Sequence, residues 1–474
     1  MSGGLEVVRA ALAGRRAWLV GGAVRDRVLA RDTADVDVVV DGDPGEAARA
    51  VSRAAGRAPC FALSERFGAW RVVARDRAWQ VDVEPLRADT LAEDLALRDF
   101  TVNAIAEPIA GGDPIDPLGG LSDLRAGRLR MAGPDAFVED PLRVLRLVRV
   151  AVELDLEPDA HTLRTASAAA GRLADVSAER VFMELRRIIA SPRALDGLRM
   201  SRELGVTEIV LPELTAMEGV QQNRFHHLDV LGHTLEVLER TVQMTTVPAL
   251  RLTELDAPLG EHRPALDALL AEPLADEMTR GEALRWGALL HDAAKPLTRE
   301  VRGPDGRVTF IGHDVRGADL ARAVLTRLRA SERLRAHVAA LVRNHLRLGF
   351  LVHEPQPLSR RTVFRYLRAC SPVEVDVTLL SVLDRLATRG ERAREAIDAH
   401  LSLARSVLAD ALRWHADGPP RPLLRGDDLA GALGIPAGPR VGELLAGLAE
   451  AQYAGEVRTR DQAIACAREM ISNL

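Results

Sequence analysis

Two sets of side chains in this 474-residue sequence could do chemistry, and they lie in different halves of it. In the first half, Asp35 and Asp37 stand two residues apart at the head of the apolar run Val36–Val40. Alternate side chains of a β-strand share a face, so both carboxylates point the same way. Two such charges repel unless a divalent cation neutralises them, and Mg²⁺ bridging the phosphates of a nucleotide is the usual occupant of an all-oxygen pair. Asp82, or alternatively Glu84, could add a third carboxylate from another strand. Upstream, Gly21-Gly22-Ala-Val-Arg25-Asp26 reads as a strand-to-helix turn. Paired glycines let backbone N–H groups approach a phosphate, the helix N-terminus adds positive potential, and Arg25 comes round one turn later. A Gly-Gly turn alone says little; the acid pair beside it gives it meaning.

The second set is built on histidine. Of the 12 histidines only His161 precedes residue 225, so a titratable, metal-capable side chain is concentrated in one half. His226-His227 and His233 open one helical stretch, followed by His291-Asp292 with Lys295, His313-Asp314, Asn344-His345 and Asp384-Arg385. Histidine with carboxylate on separate helices suits a divalent metal with open water positions. Two chemistries on one chain are the expectation.

The elements that must position these groups follow from hydropathy. Ala17–Val20 reads as a buried strand, Gly21-Gly22 break it, and a helix of about two turns follows. Segments 70–75 and 79–84 read as a hairpin, with Val81 and Val83 on one face and Asp82 and Glu84 on the other. From about residue 139 the pattern is helical, rich in Ala, Leu, Arg and Glu, with breaks at Pro158, Pro192 and Pro212. Gly418-Pro-Pro-Arg-Pro422 sets off a last helical segment.

Composition narrows the classes. With 47% hydrophobic and 28% charged residues, wholesale disorder is excluded. A net charge of -5 excludes a uniformly basic coat, so any grip on RNA must be a local patch. Aromatics at 3% argue against a module stacking successive bases. Three scattered cysteines with no CxxC pair give no disulfide framework and no thiolate zinc site. No stretch approaches a membrane span and Met1–Arg16 has no signal-type core, so a cytoplasmic protein without a membrane partner is expected. Every basic residue but one is arginine, the exception being Lys295.

The 139–149 segment, EDPLRVLRLVR, is read as a helix carrying Asp140 and Arg143 on one face, with Arg146 and Arg149 continuing its basic side. A carboxylate accepts from an exocyclic amine and a guanidinium donates to a ring nitrogen. Cytosine and adenine present that amine beside an acceptor; uracil and guanine present a carbonyl beside an N–H. Such a pair admits C and A.

In order along the chain, GGAVRD, DVD, RDFTVNA (98–104), DPLGGLSDLRAGRLR (116–130), EDPLRVLRLVR and ERVFMEL (179–185) resemble the bacterial class II tRNA nucleotidyltransferase and poly(A) polymerase family. The resemblance implies an α+β fold: a polymerase-β-like head (1–125), then an all-α neck (126–220), HD domain (221–405) and tail (406–474). It implies that Gly22 and Arg25 bind triphosphate, that Asp35 and Asp37 hold Mg²⁺, and that Arg98 and Asp99 help to hold the nucleotide; Gly21, Asn103 and Arg146 are read as further nucleotide contacts and Asp82 as the third catalytic carboxylate. It assigns Asp140 and Arg143 to base selection. The second half resembles the HD phosphohydrolases, whose H…HD…D pattern falls on His233, His291-Asp292 and Asp384. There His313 and His345 are auxiliary phosphate or second-metal groups, Lys295 is a phosphate contact, and the metal is Mg²⁺ or a transition ion.

The implied activity is addition of CMP and AMP to the tRNA 3′ end from CTP and ATP, beside an HD phosphohydrolase site. A CC-adding enzyme, a poly(A) polymerase, and an HD phosphohydrolase with an RNA-binding head are the alternatives. Leu97 stands where the family usually has arginine, and Val150 where phenylalanine is common. CCA-adding members carry a flexible loop between positions matched by Arg87 and Glu93-Asp94-Leu95; here only Ala88–Ala92 separate them. Full CCA addition therefore requires another segment to take the place of that loop.

Overall fold

The computed structural model describes residues 3–31, 34–64, 68–246, 259–304, 306–390 and 393–472. The chain divides into two compact units, one of residues 1–188 and 196–210, the other of 189–195 and 211–474.

The first unit is built on a six-stranded sheet of β1 (Ala17–Val20), β2 (Asp35–Val40), β3 (Cys60–Ser64), β4 (Ala69–Val73), β5 (Gln80–Pro85) and β6 (Ala106–Pro108), ordered β3-β4-β5-β2-β1-β6. Only β2 and β5 pair in parallel; every other neighbour is antiparallel. Parallel strands need a crossover, and α1 (Pro44–Ala54) begins it, with Pro44 at its first turn and Asp43 accepting from the Gly45 and Glu46 N–H groups. Register fixes the faces. Val36, Val81, Val72 and Cys60 form one row across the sheet, and the first three are buried. The next row is Asp37, Asp82, Arg71 and Phe61, which alternation puts on the opposite face. Over the β1 end of that second face the 86–132 segment closes a small core of Val20, Val39, Leu95, Ala104 and Ala106.

The segment expected as one helix over 139–149 is not continuous. A short helix, Ala136–Glu139, ends first; Asp140 is extended (φ -141°, ψ 99°), and α2 runs from Arg143 to Leu154. Pro141 is the reason, because a residue before proline is driven out of the α region. The break expected at Pro212 falls between the helices Thr207–Val210 and Pro212–Thr215, the second of which the proline opens.

The second unit is helical. Its bundle contains α3 (Val230–Thr245), α4 (Arg280–Leu290), α5 (His313–Arg327), α6 (Glu332–Asn344) and α7 (Glu374–Ala387). Helix α4 is buried along its whole length, Trp286 and Leu289 included, and a Thr279/Glu282 capping box fixes its start. Three further helices, Gly426–Leu433, Pro439–Ala454 and Arg460–Ser472, close on Leu429, Leu444, Leu448 and Ala463. Among the described residues no helix is long and apolar enough to cross a membrane.

Candidate functional sites

At the C-terminal end of β1, Gly21 turns the chain with φ 68° and ψ -135°, a conformation open to glycine alone. A Cβ there would lie 3.1 Å from Arg98 Nη1 and 3.4 Å from Asp37 Oδ2, so three sequence motifs meet around one glycine. Asp37 pairs in register with Val20 on one side and Asp82 on the other, and Asp35 lies two residues back on the same face. Burial, only partly opposed by Arg98 and reinforced by Asp82, Glu84 and Asp35, pushes the Asp37 carboxyl up to about 7. A carboxylate so reluctant to ionise beside others is relieved by a cation, and an all-oxygen donor set fits a hard divalent ion. Arg71, which the sequence reading passed over, donates to both Asp82 oxygens at 2.7 Å.

The nucleotide side is a chain of alternating charge. Arg25 donates to Asn103 Oδ1 (2.6 Å), Asn103 donates to Asp99 Oδ1 (2.9 Å), and Arg146 donates to Asp99 Oδ2 (3.3 Å). Burial works against the Asp99 carboxylate, yet Arg146, the Asn103 amide and the Phe100 N–H hold its pKa below the usual range. Glu184 then binds both Arg146 and Arg149, so neither arginine offers the free basic side expected of them. The Nε and Nη2 of Arg98 are buried without hydrogen-bond partners. A buried guanidinium with unspent donors beside a glycine turn is what an incoming phosphate would satisfy.

Asp140 and Arg143 do not share a helix face. Asp140 Oδ2 accepts from Arg180 at 2.7 Å and Oδ1 from the Leu142 N–H at 3.2 Å. Arg143 is buried and donates to Leu97 O (2.9 Å), just before Arg98, and to Ala136 O (3.1 Å) at the start of the short Ala136–Glu139 helix. The sequence reading took Arg180 only as part of a motif; its partner lies 40 residues away.

The five residues Ala88–Ala92 are held tightly. Asp94, fully buried, accepts from the Arg87 backbone at 3.0 Å and its side chain at 3.3 Å. Thr90 caps the Leu91–Ala96 helix in a complete capping box with Glu93.

In the helical unit the metal-capable residues converge from element ends. His233 lies in the first turn of α3, His291 follows α4, His313 begins α5, His345 follows α6, and Asp384 lies near the end of α7. His291, His313 and His345 each donate Nδ1–H to a carbonyl three residues back, at 2.8, 2.7 and 2.7 Å. That contact fixes the tautomer and leaves Nε2 as the ligand atom. Asp292 stands between two groups able to hold an ion, His233–His291–Asp292 and Asp292–His313–His345. His313 Nε2 and His345 Nε2 face each other at 3.3 Å. Two imidazole lone pairs so placed repel unless a cation or proton lies between them, and burial pushes His345 down to about 4, against the proton. The donor set therefore fits a divalent metal. His233 Nε2 also meets Asp384 Oδ1 at 2.9 Å, and Lys295 Nζ lies 2.7 Å from both Asp292 Oδ2 and Gln222 Oε1. Gln222 and His226, whose ring packs edge-on against His233, were not assigned to the site from sequence.

Comparison with known proteins agrees with both halves. Residues 17–130 match the poly A polymerase head domain, 155–218 the probable RNA and SrmB-binding site of polymerase A, and 267–389 the HD domain. The chain is 38% identical to the A-adding tRNA nucleotidyltransferase of Deinococcus radiodurans, with 94% of each covered. It is 35% identical to the CC-adding tRNA nucleotidyltransferase of Thermus thermophilus, covering 94% of this chain and 92% of that protein. The multifunctional CCA protein of Xanthomonas campestris is 33% identical over 74% of this chain and 79% of its own. Among solved structures, the Thermotoga maritima CCA-adding enzyme complexed with tRNA shares the fold at TM-score 0.60 and 19% identity, covering 98% and 95% of the two chains.

Proposed function

The chain belongs to the bacterial tRNA nucleotidyltransferase and poly(A) polymerase family; it is a nucleotidyltransferase dependent on divalent metal, and we propose that it extends tRNA 3′ ends with one kind of nucleotide, C or A, rather than with the whole CCA sequence. The observation that carries this is the tie between Arg87 and Asp94 together with the Thr90 capping box. Between β5 and the next helix they leave no free span for a loop that would reshape the pocket from C to A. Relatives matched along nine-tenths of the chain are named for adding one base type, A or C.

In this reading Asp35 and Asp37 hold a divalent cation, taken as Mg²⁺, which supplies positive charge against the triphosphate. The Gly21-Gly22 turn, Arg25 and Arg98 orient the phosphates, and Asp82, held by Arg71, faces the primer 3′ hydroxyl. The 3′ oxygen attacks the α-phosphorus in line and pyrophosphate leaves. Asp140 keeps lone pairs beyond those taken by Arg180 and Leu142, and accepts from the exocyclic amine that C and A share. Arg143 acts through the Leu97 carbonyl, fixing the wall behind Arg98.

The test uses two primers, tRNA lacking its CCA end and tRNA ending in CC, each with CTP and ATP present. Extension of one primer by one base type is expected, lost in Asp37→Ala. Conversion of the first primer to a full CCA end would refute single specificity.

The helical unit supports a second activity, metal-dependent hydrolysis of phosphate esters, because seven polar groups converge with Asp292 shared between two possible ion sites. His233, His291, Asp292 and Asp384 hold the metal, His313 and His345 a second ion or the phosphate, and Lys295 the phosphate. His291→Ala or Asp292→Ala should abolish phosphatase or phosphodiesterase activity with Mn²⁺, Ni²⁺ or Mg²⁺ and leave nucleotide addition intact. A wild type inert toward cyclic phosphates and phosphomonoesters would refute it.

A further inference from the structure

The row Asp37–Asp82–Arg71–Phe61 does not end at the carboxylates. Cross-strand partners in register point to one face, so four strands in succession present these side chains on the same side of the sheet. The two ends of the row differ. On the β1 side of Asp37 lie the Gly21 turn, Arg98 and Asn103, with the 86–132 segment packed over the strand. On the other side the row runs to the edge strand β3, where Phe61 is 47% exposed, just before the irregularity that shifts the β3–β4 register between Ala62 and Ser64. The opposite face is the one that packs, through its buried row Val36, Val81 and Val72. An exposed aromatic at the end of a charged row is unexpected in a chain with only 3% aromatic residues.

We infer that the open face of β4 and β3 is a track for the single-stranded 3′ end of the RNA primer, with Phe61 as the platform on which one of its bases stacks. This rests on the assignment of nucleotide transfer to Asp35 and Asp37. With triphosphate binders confined to the β1 side, the strand that brings the attacking hydroxyl must arrive from the β4 side. Three strand spacings separate Asp37 from Phe61, roughly 14 Å. That is the reach of a few nucleotides behind the 3′ hydroxyl, fewer if the strand is stretched beyond about 3.4 Å per step. Every base has a π-face, so one phenyl ring holds a primer of any sequence. The Arg71 guanidinium, bound to Asp82, is the polar boundary between the Phe61 platform and the reaction centre.

The experiment is steady-state addition on tRNA by the full chain carrying Phe61→Ala, Phe61→Leu or Phe61→Trp. Expected are roughly tenfold rises in KM for tRNA with Ala and Leu, near wild-type KM with Trp, and unchanged kcat and KM for the nucleotide. A minihelix with 2-aminopurine near its 3′ end should lose more fluorescence on binding to the Trp variant than to the Ala variant. An unchanged KM for tRNA overturns the inference, as does a change confined to KM for the nucleotide. Equal losses with Leu and Trp would show that packing, not stacking, holds Phe61. Asp37→Ala separates the premises. If it keeps addition, the site assignment has failed; if it loses addition while Phe61→Ala binds tRNA normally, only the track has failed.

Discussion

Replacing Gly21 by alanine tests whether the glycine turn organises the nucleotide site or merely reverses the chain. Two effects are superimposed. At φ 68° and ψ -135° a Cβ is strained by about 1–3 kcal/mol, which lowers stability. That Cβ also lies 3.1 Å from Arg98 Nη1 and 3.4 Å from Asp37 Oδ2, so one of them must shift by a few tenths of an ångström. Arg98 yields, because its Nε and Nη2 have no hydrogen bonds and Nη2 is held only by a 3.7 Å ion pair to Asp94, whereas Asp37 is fixed on a paired strand. Displacing one charge-assisted contact to a phosphate removes about 1.5–3 kcal/mol, or roughly ten- to a hundredfold in kcat/KM. Gly119→Ala supplies the control: at φ 76° and ψ 27° it too puts a Cβ at positive φ, in the milder left-handed α region, and the nearest side-chain atom, Arg130 Nη2, is 3.8 Å away. Pyrophosphate release measured against nucleotide concentration, beside thermal melts, separates the effects. Both variants should melt lower, and only Gly21→Ala should lose kcat/KM for the nucleotide. Equal kcat/KM in the two would refute the convergence of Arg98 and Asp37 on this turn.

Asp140→Ala should relax base choice by roughly five- to a hundredfold, from about 1–3 kcal/mol per lost hydrogen bond, and slow phosphoryl transfer far less; competition of CTP or ATP with UTP and GTP measures it, and unchanged discrimination would make Asp140 structural. Adding Mn²⁺ or Ni²⁺ should raise the melting temperature of wild type more than that of His345→Ala, since one site at about a hundredfold excess over Kd is worth ~2.7 kcal/mol; equal shifts would remove His345 from the ligand set. Burial, helped by Arg385, pushes His400 down to about 4, so below pH ~6.5 the unfolded chain takes the proton first. Stability is therefore complete above that pH and falls by up to about 3 kcal/mol as pH drops toward 4; urea midpoints against pH should flatten in His400→Gln, and parallel curves would refute the assignment.

How much of this could be read from the residues depends on the range of the interaction. The alternation Gln80–Pro85 set Asp82 opposite Val81 and Val83, and the structure pairs Asp82 with Asp37 as that face requires. The histidines announced themselves by type, and the bundle brings His233 to Asp384 across 151 residues. What stayed hidden was register and partner. Arg71 reaches Asp82 only because β4 and β5 pair in this alignment; a slip of one residue would send it to the other face. Gln222 lies 73 residues from Lys295, and nothing local marks it. The helix through Asp140 was a different failure, since Pro141 was in plain sight and its effect on the residue before it outweighed the helical periodicity of the run.

Lys295 shows how a compositional bias can sharpen a local reading. Where every other basic residue is arginine, exposed positions have accepted the exchange, so a lysine retained here points to a site that a guanidinium does not fit. The geometry supplies the reason. The ammonium is buried, 2.7 Å from Asp292 Oδ2 and 2.7 Å from Gln222 Oε1, and 5.4 Å above the Phe310 ring. Three tetrahedral donors on a compact head serve acceptors from two separate residues, whereas a planar fork is suited to paired acceptors on one edge. The lone lysine is thus tied to the same carboxylate that joins the two possible ion sites, and its retention marks Asp292 as the centre of that cluster.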